Sequence, residues 1–273
     1  MSSADPKALA QELAAAYASR QMVAVLPSAR DADFGLADAY AVEAEHARLK
    51  RSSGHTAVGR KVGYANKAMW RVLKLDTLVW AHMYDDTVQY AERGAATLSL
   101  ARMFSPKIEP EIVFKLKRPV ATGDLEPAAV LDAVEWLALG FEIIDCVFPN
   151  WTFQPADFVA AFGLHAALVV GEPRPVEAAM IPALVDELGR FTVRLIKDDI
   201  VVEEGSGKNA LRSPARCVGE LAAAIARQPG AEPLAAGELI SSGTLTTSTP
   251  IAPGETWSAE VDGIALAGLT LRV

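Results

Sequence analysis

The sequence predicts an α+β protein, a β-rich mixed sandwich or roll with a small helical N-terminal cap, and three observations lead there. Two segments of helical spacing open the chain, short strands punctuated by Gly and Pro dominate its last two thirds, and there is neither βαβ alternation nor an internal repeat. With 273 residues, 51% hydrophobic and 22% charged, the chain can bury a sizeable core in one large domain or two small ones. The cap is placed at 1–60 and the β-rich domain at 61–273.

In chain order, residues 6–20 form the first helix. The alanines of MSSADPKALAQELAAAYASRQ are interrupted by Lys, Gln and Glu, and the stretch lacks the basic start and Leu-rich run of a secretion leader. A second helix is expected near 33–51, where Leu36, Tyr40, Val42 and Leu49 follow a rough helical stripe. Lys61 to Tyr64 reads as a short extended or turn segment, and Asn66 is placed to cap a helix through KAMWRVLKL. From about Thr97 the pattern changes. KIEPEIVFKLK alternates as a strand does, with Ile108, Ile112, Phe114 and Leu116 on one face and Glu109, Glu111, Val113, Lys115 and Lys117 on the other. A short helix around 126–136 then leads into the strand FEIIDCVF. Further strand candidates are HAALVVG, RFTVRLI, DIVVEE, ELISSGTLT and the terminal WSAEVDGIALAGLTLRV, and 213–227 is read as the one late helix.

Composition excludes several classes. The net charge of -8 is dispersed and forms no basic stripe, so nucleic acid is not an expected partner. Cys146 and Cys217 lie far apart with no CxxC spacing, which builds neither a disulfide framework nor a thiolate zinc site and fits a reduced, cytoplasmic protein. No apolar run is long enough to suggest a membrane span. GSGKNA at 205–210 has the wrong glycine spacing for a Walker loop, and no Ser or Thr follows Lys208.

The carboxylates carry the chemistry. Glu109 and Glu111 leave one face of one strand and could both reach a single cation, although a strand with a solvated face gives the same pattern. Glu142 lies in WLALGFEIIDCVF, where an unpaired buried carboxylate is costly and calls for a cation or a donor. Three carboxylates without a His or Cys cluster suit a hard cation, Mg²⁺, Mn²⁺ or Ca²⁺, better than zinc.

The order DAYAVEAE, GRKVG followed by NKAM, KIEPEIVF, GFEIID and SSGTLTTSTPIAPGE resembles the fumarylacetoacetate hydrolase superfamily from about residue 37 to the C-terminus. Within it the chain is most similar to the branch of 2-oxopent-4-enoate hydratases and 4-oxalocrotonate decarboxylases of aromatic meta-cleavage pathways. Its most specific element is the E-x-E on a strand with a third glutamate further on. The resemblance implies Mg²⁺ or Mn²⁺ on Glu109, Glu111 and Glu142, and Lys61 as an active-site acid, base or charge stabiliser. It also implies Glu45 near that lysine in some hydratases, Thr246 beside the substrate carboxylate, and a homo-oligomer. The implied activity is that of a hydratase-type lyase: a 2-hydroxy-dienoate is protonated and water adds at the distal carbon to give a 4-hydroxy-2-oxo acid, through an enolate whose charge the cation neutralises. The alternatives are a 2-oxo acid decarboxylase, a 1,3-diketone C–C hydrolase, and a non-catalytic protein that binds a metal and a 2-oxo acid. The hydrolases use a His–Glu dyad, and His46 beside Glu45 is poorly placed for one because adjacent helical residues point about 100° apart.

Each candidate also has a plainer reading. Lys61, between glycines that let the chain approach a ligand, could equally be a solvated loop lysine. Glu45 could be an exposed helix carboxylate and Thr246 a turn threonine, and Lys208 is read as a loop charge. His46, His55 and His82 are expected to be satisfied or solvated. Two departures from the relatives matter: LVWA at 78–81 puts Val79 where the hydratases carry an aspartate of PD[YF]G, and YANKAM replaces LTSKAM. His165, in FGLHAALVV where the relatives have asparagine, is therefore weighed for the lost proton-transfer role. It is expected on one strand face with Gly163 and Ala167, as a pocket wall or as a core histidine.

Overall fold

In the computed structural model residues 5–120, 122 and 125–273 are described; the first four residues of the expected cap lie outside them. Helix α1 (Pro6–Ser19) begins at Asp5, whose carboxylate accepts the Lys7 N–H at 3.0 Å, and ends at Arg20 in the left-handed conformation (φ 56°). After the single turn α2 (Pro27–Arg30) comes α3 (Leu36–Ser52), where Asp38 accepts the Gly35 N–H at 3.0 Å. The two long helices pack on each other; α1 buries Leu9, Ala10 and Leu13, and α3 buries a stripe that includes Ala39, Tyr40, Glu43 and His46, with Tyr40 on Trp80, Glu43 on His82 and His46 on Phe162.

Lys61 lies inside strand β1 (Ala57–Gly63). Asn66 accepts the Ala68 N–H at 3.0 Å and opens a short 3₁₀ turn and α4 (Trp70–Leu73), which left-handed Lys74 terminates. The helix through KAMWRVLKL is therefore shorter than expected. Strands β2 (Val79–Tyr84), β3 (Val88–Tyr90) and β4 (Ala95–Thr97) precede β5 (Lys107–Leu116), which matches the alternating run. Helix α5 (Pro127–Asp132) stops before residue 136 because β6 (Val134–Ile144) already begins, with Leu137 and Leu139 fully buried.

The next elements are α6 (Pro155–Ala160), β7 (His165–Val170) and the two-residue β8 (Arg174–Pro175). Helix α7 (Ile181–Arg190) corrects the expectation of a single late helix: Leu184 and Leu188, one turn apart, are buried on one face, and Pro182 sits in the first turn. Then follow β9 (Thr192–Lys197), β10 (Ile200–Ser206), α8 (Pro214–Ala226), β11 (Leu239–Ser241), β12 (Thr249–Pro250), β13 (Thr256–Asp262) and β14 (Leu269–Arg272). Most of ELISSGTLT is thus loop, and the terminal run is two strands.

One sheet has nine strands, ordered β2-β1-β11-β5-β6-β7-β3, with β12 on β5 and β8 on β6; the other runs β10-β9-β13-β14-β4. The result is an α+β fold with mixed sheets, antiparallel except at β1–β11, β3–β7 and β4–β14. The N-terminal helices and the large sheet share one hydrophobic core, which contains Leu13, Ile108, Ile112, Phe114 and Phe141. The opposite face of β5 is not solvated either. Val113 packs there with Met83, Ala138, Leu168, Val170 and Leu239, so the glutamates beside it are enclosed. Both cysteines are free and buried. Among the described residues no helix is long and apolar enough to cross a membrane.

Candidate metal centre and active site

The register of β5 and β6 builds the centre. Glu109 sits directly opposite Glu142, and Glu111 opposite Gly140. Opposed residues of an antiparallel pair hold their Cβ atoms about 5 Å apart on one face, and a two-residue step returns to that face. One carboxylate oxygen from each of Glu109, Glu111 and Glu142 consequently lies within 4.8 Å of the others. Their exposures are 8%, 0% and 0%, which rules out the reading of a solvated strand face.

Each carboxylate is held by groups from elsewhere in the fold. The Ser248 hydroxyl donates to Glu109 Oε1. Glu111 Oε2 accepts from the Ser241 hydroxyl at 2.6 Å and from the Gly243 N–H at 2.8 Å. Glu142 Oε1 faces His165 Nδ1 at 2.9 Å, and the other ring nitrogen lies 3.0 Å from the Thr87 hydroxyl. Lys61 Nζ lies 3.0 Å from Glu142 Oε2 and donates to the Gly163 carbonyl at 3.0 Å. That approach requires the glycine: Gly163 has φ +65°, and a Cβ there would sit 2.8 Å from the Lys61 side chain.

Two oxygens at the centre are left over. Glu111 Oε1 is buried without a hydrogen-bond partner, and Glu142 Oε2 has only the Lys61 ammonium, 3.0 Å away and without ideal alignment. Burying a bare carboxylate oxygen carries a large desolvation penalty unless something positive meets it. Three hard oxygen donors converging around such an orphan fit a divalent cation.

The electrostatics agree with that fit. Burial, reinforced by the charges of Glu142 and Glu109, pushes the Glu111 carboxyl well above the usual range, and burial also raises Glu109. Burial works against the Glu142 charge too, but Lys61 and the His165 hydrogen bond outweigh it and hold this carboxyl below the usual range. Lys61 is desolvated, yet the attraction of Glu142, Glu109 and Glu111 raises its pKa and keeps it an ammonium. A single lysine against three carboxylates leaves an excess of negative charge for a cation to balance.

Lys61 and Glu109 open onto a cavity of about 420 Å³ whose wall includes Trp151, Phe158, Thr246 and Ser248. Lys61 is only 2% exposed, so it is not a solvated loop lysine. Thr246 lines the same cavity and at present donates to the Thr247 carbonyl at 3.1 Å. Glu45 is not brought to the centre. It is partly exposed and pairs with Arg48 at 2.8 Å, one turn along α3. The buried glutamate of that helix is Glu43, which accepts from the His82 N–H at 3.0 Å and pairs with its ring. Its place in the stripe with Tyr40 and His46 was the available signal.

His165 also differs from expectation. β7 starts at His165, and Gly163 belongs to a 3₁₀ turn, so the two do not share a strand face. The imidazole grips Glu142 and lines a separate cavity of about 480 Å³ together with His46 and His82. His82, which pairs with Glu43, lines this second cavity, and neither residue lines the cavity at Glu109. His55 pairs with Asp85 at 3.2 Å on the surface. Val79 is buried in β2. The roles of Ser241, Gly243, Ser248, Thr87 and Gly163 escaped the sequence reading because they depend on contacts between distant segments.

The model of the fumarylacetoacetate (FAA) hydrolase C-terminal family matches residues 73–271. A 2-hydroxyhexa-2,4-dienoate hydratase from Comamonas testosteroni is 27% identical over 234 residues, 85% of this chain and 84% of that protein. A 4-oxalocrotonate decarboxylase from a Pseudomonas species is 31% identical over 217 residues, 80% of this chain and 78% of that protein. The solved structure of 4-oxalocrotonate decarboxylase from Pseudomonas putida G7, complexed with magnesium and adipate, superposes with a TM-score of 0.87 at 25% identity. It covers 98% of this chain and 96% of that one.

Proposed function

The chain belongs to the fumarylacetoacetate hydrolase family, and from that membership and the geometry of its centre we propose that it is a divalent-metal-dependent lyase of the hydratase type. Its substrate class is a small 2-hydroxy-dienoic or 2-oxo-enoic acid, and its product a 4-hydroxy-2-oxo acid. The observation that carries the reading is the orphaned Glu111 Oε1 inside a buried triad. Glu109, Glu111 and Glu142 are the ligands, with Mg²⁺ or Mn²⁺ as the native ion. That cation would neutralise charge developing on the 2-oxygen of the acid.

The chain's own residues do the rest. Lys61, held charged by its carboxylate neighbours, donates to developing negative charge and does not act as a base near neutrality. Thr246 can turn its hydroxyl from the Thr247 carbonyl towards the substrate carboxylate. Trp151, Phe153 and Phe158 give the hydrocarbon part of the acid a dry wall. His165 is a positioning residue that orients Glu142. Among the described residues neither His–Glu pair is placed to activate water for diketone cleavage: His82, paired with Glu43, and His165, paired with Glu142, line the other cavity and not the one at Glu109. That favours the hydratase over the hydrolase.

The protein is further proposed to work in the cytoplasm as a homo-oligomer. Ile200, Val201 and Val202, exposed by 67%, 45% and 39% on the edge strand β10, support the assembly. Incubating the Mg²⁺-supplemented protein with 2-hydroxyhexa-2,4-dienoate in ¹⁸O-water tests the activity. One label on the distal carbon of a 4-hydroxy-2-oxo acid is expected; release of CO₂ or cleavage of a C–C bond without that label would overturn the reading.

A further inference from the structure

We propose that Tyr64 sets the specificity of this site away from the metal: its hydroxyl recognises an oxygen on the distal carbon of the acid, the one that hydration adds. The inference rests on the hydratase reading for the origin of that oxygen, and it concerns a residue to which that reading gives no task.

Tyr64 comes directly after β1, which ends at Gly63, and lines the 420 Å³ cavity with Lys61 and Glu109. It stands where the relatives' LTSKAM has leucine, so the phenol is this chain's own departure. Its backbone is left-handed (φ 57°), a conformation that is unfavourable for a bulky aromatic residue and persists only where neighbours fix it. Here the Trp70 indole N–H donates to the Tyr64 carbonyl at 2.7 Å, and the Leu211 N–H donates to the Ala65 carbonyl at 3.1 Å. The turn held in this way sets the tyrosine ring against Phe158, with 5.2 Å between centroids. The Lys61 ammonium lies 5.1 Å from the centroid of the same Phe158 ring, so the phenol stands one ring away from the charged end of the cavity.

The hydroxyl is uncommitted. Among the described residues it makes no hydrogen bond, and it is not enclosed as the Tyr84 hydroxyl is, because its ring is only half-buried. The groups nearest to competing for it are already satisfied. Asp157, whose charge is felt at the phenol, accepts from the Ser28 N–H at 2.9 Å, the Ser28 hydroxyl at 2.6 Å and the Gln154 N–H at 2.9 Å. The Cys146 thiol donates to the Phe148 carbonyl at 3.5 Å. Burial raises the Tyr64 pKa above the usual phenol range, so the group stays a neutral O–H near neutrality. A neutral phenol both donates and accepts a hydrogen bond, and it brings no charge to a wall built from Trp151, Phe153 and Phe158. That combination fits a hydroxyl on the ligand, or the water that becomes one.

Calorimetric titration of the Mg²⁺-loaded protein with 4-hydroxyhexanoate and with hexanoate isolates that oxygen. The two chains have equal length, and neither carries the 2-oxygen that turnover needs, so neither is consumed. One hydrogen bond to a neutral partner predicts that the hydroxy acid binds tighter by roughly 3- to 10-fold, with the ratio falling to within about 2-fold in Tyr64→Phe, which keeps the ring on Phe158. The same variant should lose about 10-fold in kcat on 2-hydroxyhexa-2,4-dienoate while KM changes by less than about 3-fold, because the bond forms only to the oxygen being added. Equal binding of the two acids by the wild type would overturn the proposal. So would an unchanged ratio in Tyr64→Phe, or an equal loss for both acids, which would make Tyr64 a packing residue. A hydroxy-acid preference that Tyr64→Phe removes, without turnover of any dienoate by the wild type, would sink the hydratase reading and leave this inference standing. Turnover without that preference would do the reverse.

Discussion

Replacing Lys61 with methionine removes the cation closest to Glu142 while keeping most of the side-chain volume. In the wild type the ammonium is 2% exposed and 3.0 Å from Glu142 Oε2, with Glu109 and Glu111 also attracting it. Breaking a buried ion pair from one side leaves an uncompensated charge and destabilises by about 3–5 kcal/mol. At about 2–4 °C per kcal/mol for a chain of this size, the metal-free variant should melt roughly 6–20 °C below metal-free wild type. Saturating Mg²⁺ should narrow that gap, because the cation takes over part of the charge balance, and metal at 100 times its dissociation constant adds about 2.7 kcal/mol. Turnover should stay about 100-fold or more below wild type even with the metal restored, since the donor is gone. Thermal melts followed by circular dichroism with and without Mg²⁺, combined with initial rates, separate the two effects. Adding Glu142→Gln to Lys61→Met should recover part of the lost stability. A single variant that melts within about 2 °C of wild type and keeps its rate would refute both the buried pair and the role assigned to it.

Two other substitutions test the shell around the triad and the cap. His165→Asn loses the contact to Glu142 Oε1 at 2.9 Å and should weaken Mg²⁺ binding by about 10- to 100-fold in a calorimetric titration; unchanged affinity would reduce His165 to packing. His46 stacks on Phe162 at 3.4 Å, and burial holds its pKa down to about 4. With the unfolded value near 6.5, the unfolded chain binds the proton first, so stability present above about pH 6.5 is lost as the pH falls towards 4. By pH 5 this group alone should cost about 2 kcal/mol, and His46→Phe should lose that much less than wild type between pH 7.5 and 5 in denaturant titrations. Parallel pH curves for the two proteins would contradict it.

The triad was legible because two short-range signals met: an alternating strand put Glu109 and Glu111 on one face, and an apolar run made a lone Glu142 costly. What strand order added could not be read from spacing. Lys61 reaches Glu142 across two intervening strands, β11 and β5, and Gly163, a turn residue far along the chain, leaves room for it. Glu45 was chosen by resemblance, whereas the phase of α3 buries Glu43 and turns Glu45 towards Arg48. The fold class followed from the density of short strands. Helix α7 was missed although Leu184 and Leu188 lie on one face, because Gly and Pro around it read as strand punctuation. The expected shared face of Gly163 and His165 failed because a 3₁₀ turn ends just before β7 and leaves Gly163 outside the strand.

The central claim is that Glu109, Glu111 and Glu142 hold a cation on which turnover depends. Its most direct test is the initial rate on 2-hydroxyhexa-2,4-dienoate after exhaustive chelation and again after adding back Mg²⁺, for wild type and for Glu111→Gln. The account predicts that chelation lowers the rate by about 100-fold or more, that Mg²⁺ restores it in the wild type, and that Glu111→Gln stays at the chelated level in both conditions. A chelated protein that keeps its full rate, or a Glu111→Gln variant as fast as wild type with Mg²⁺, would contradict it.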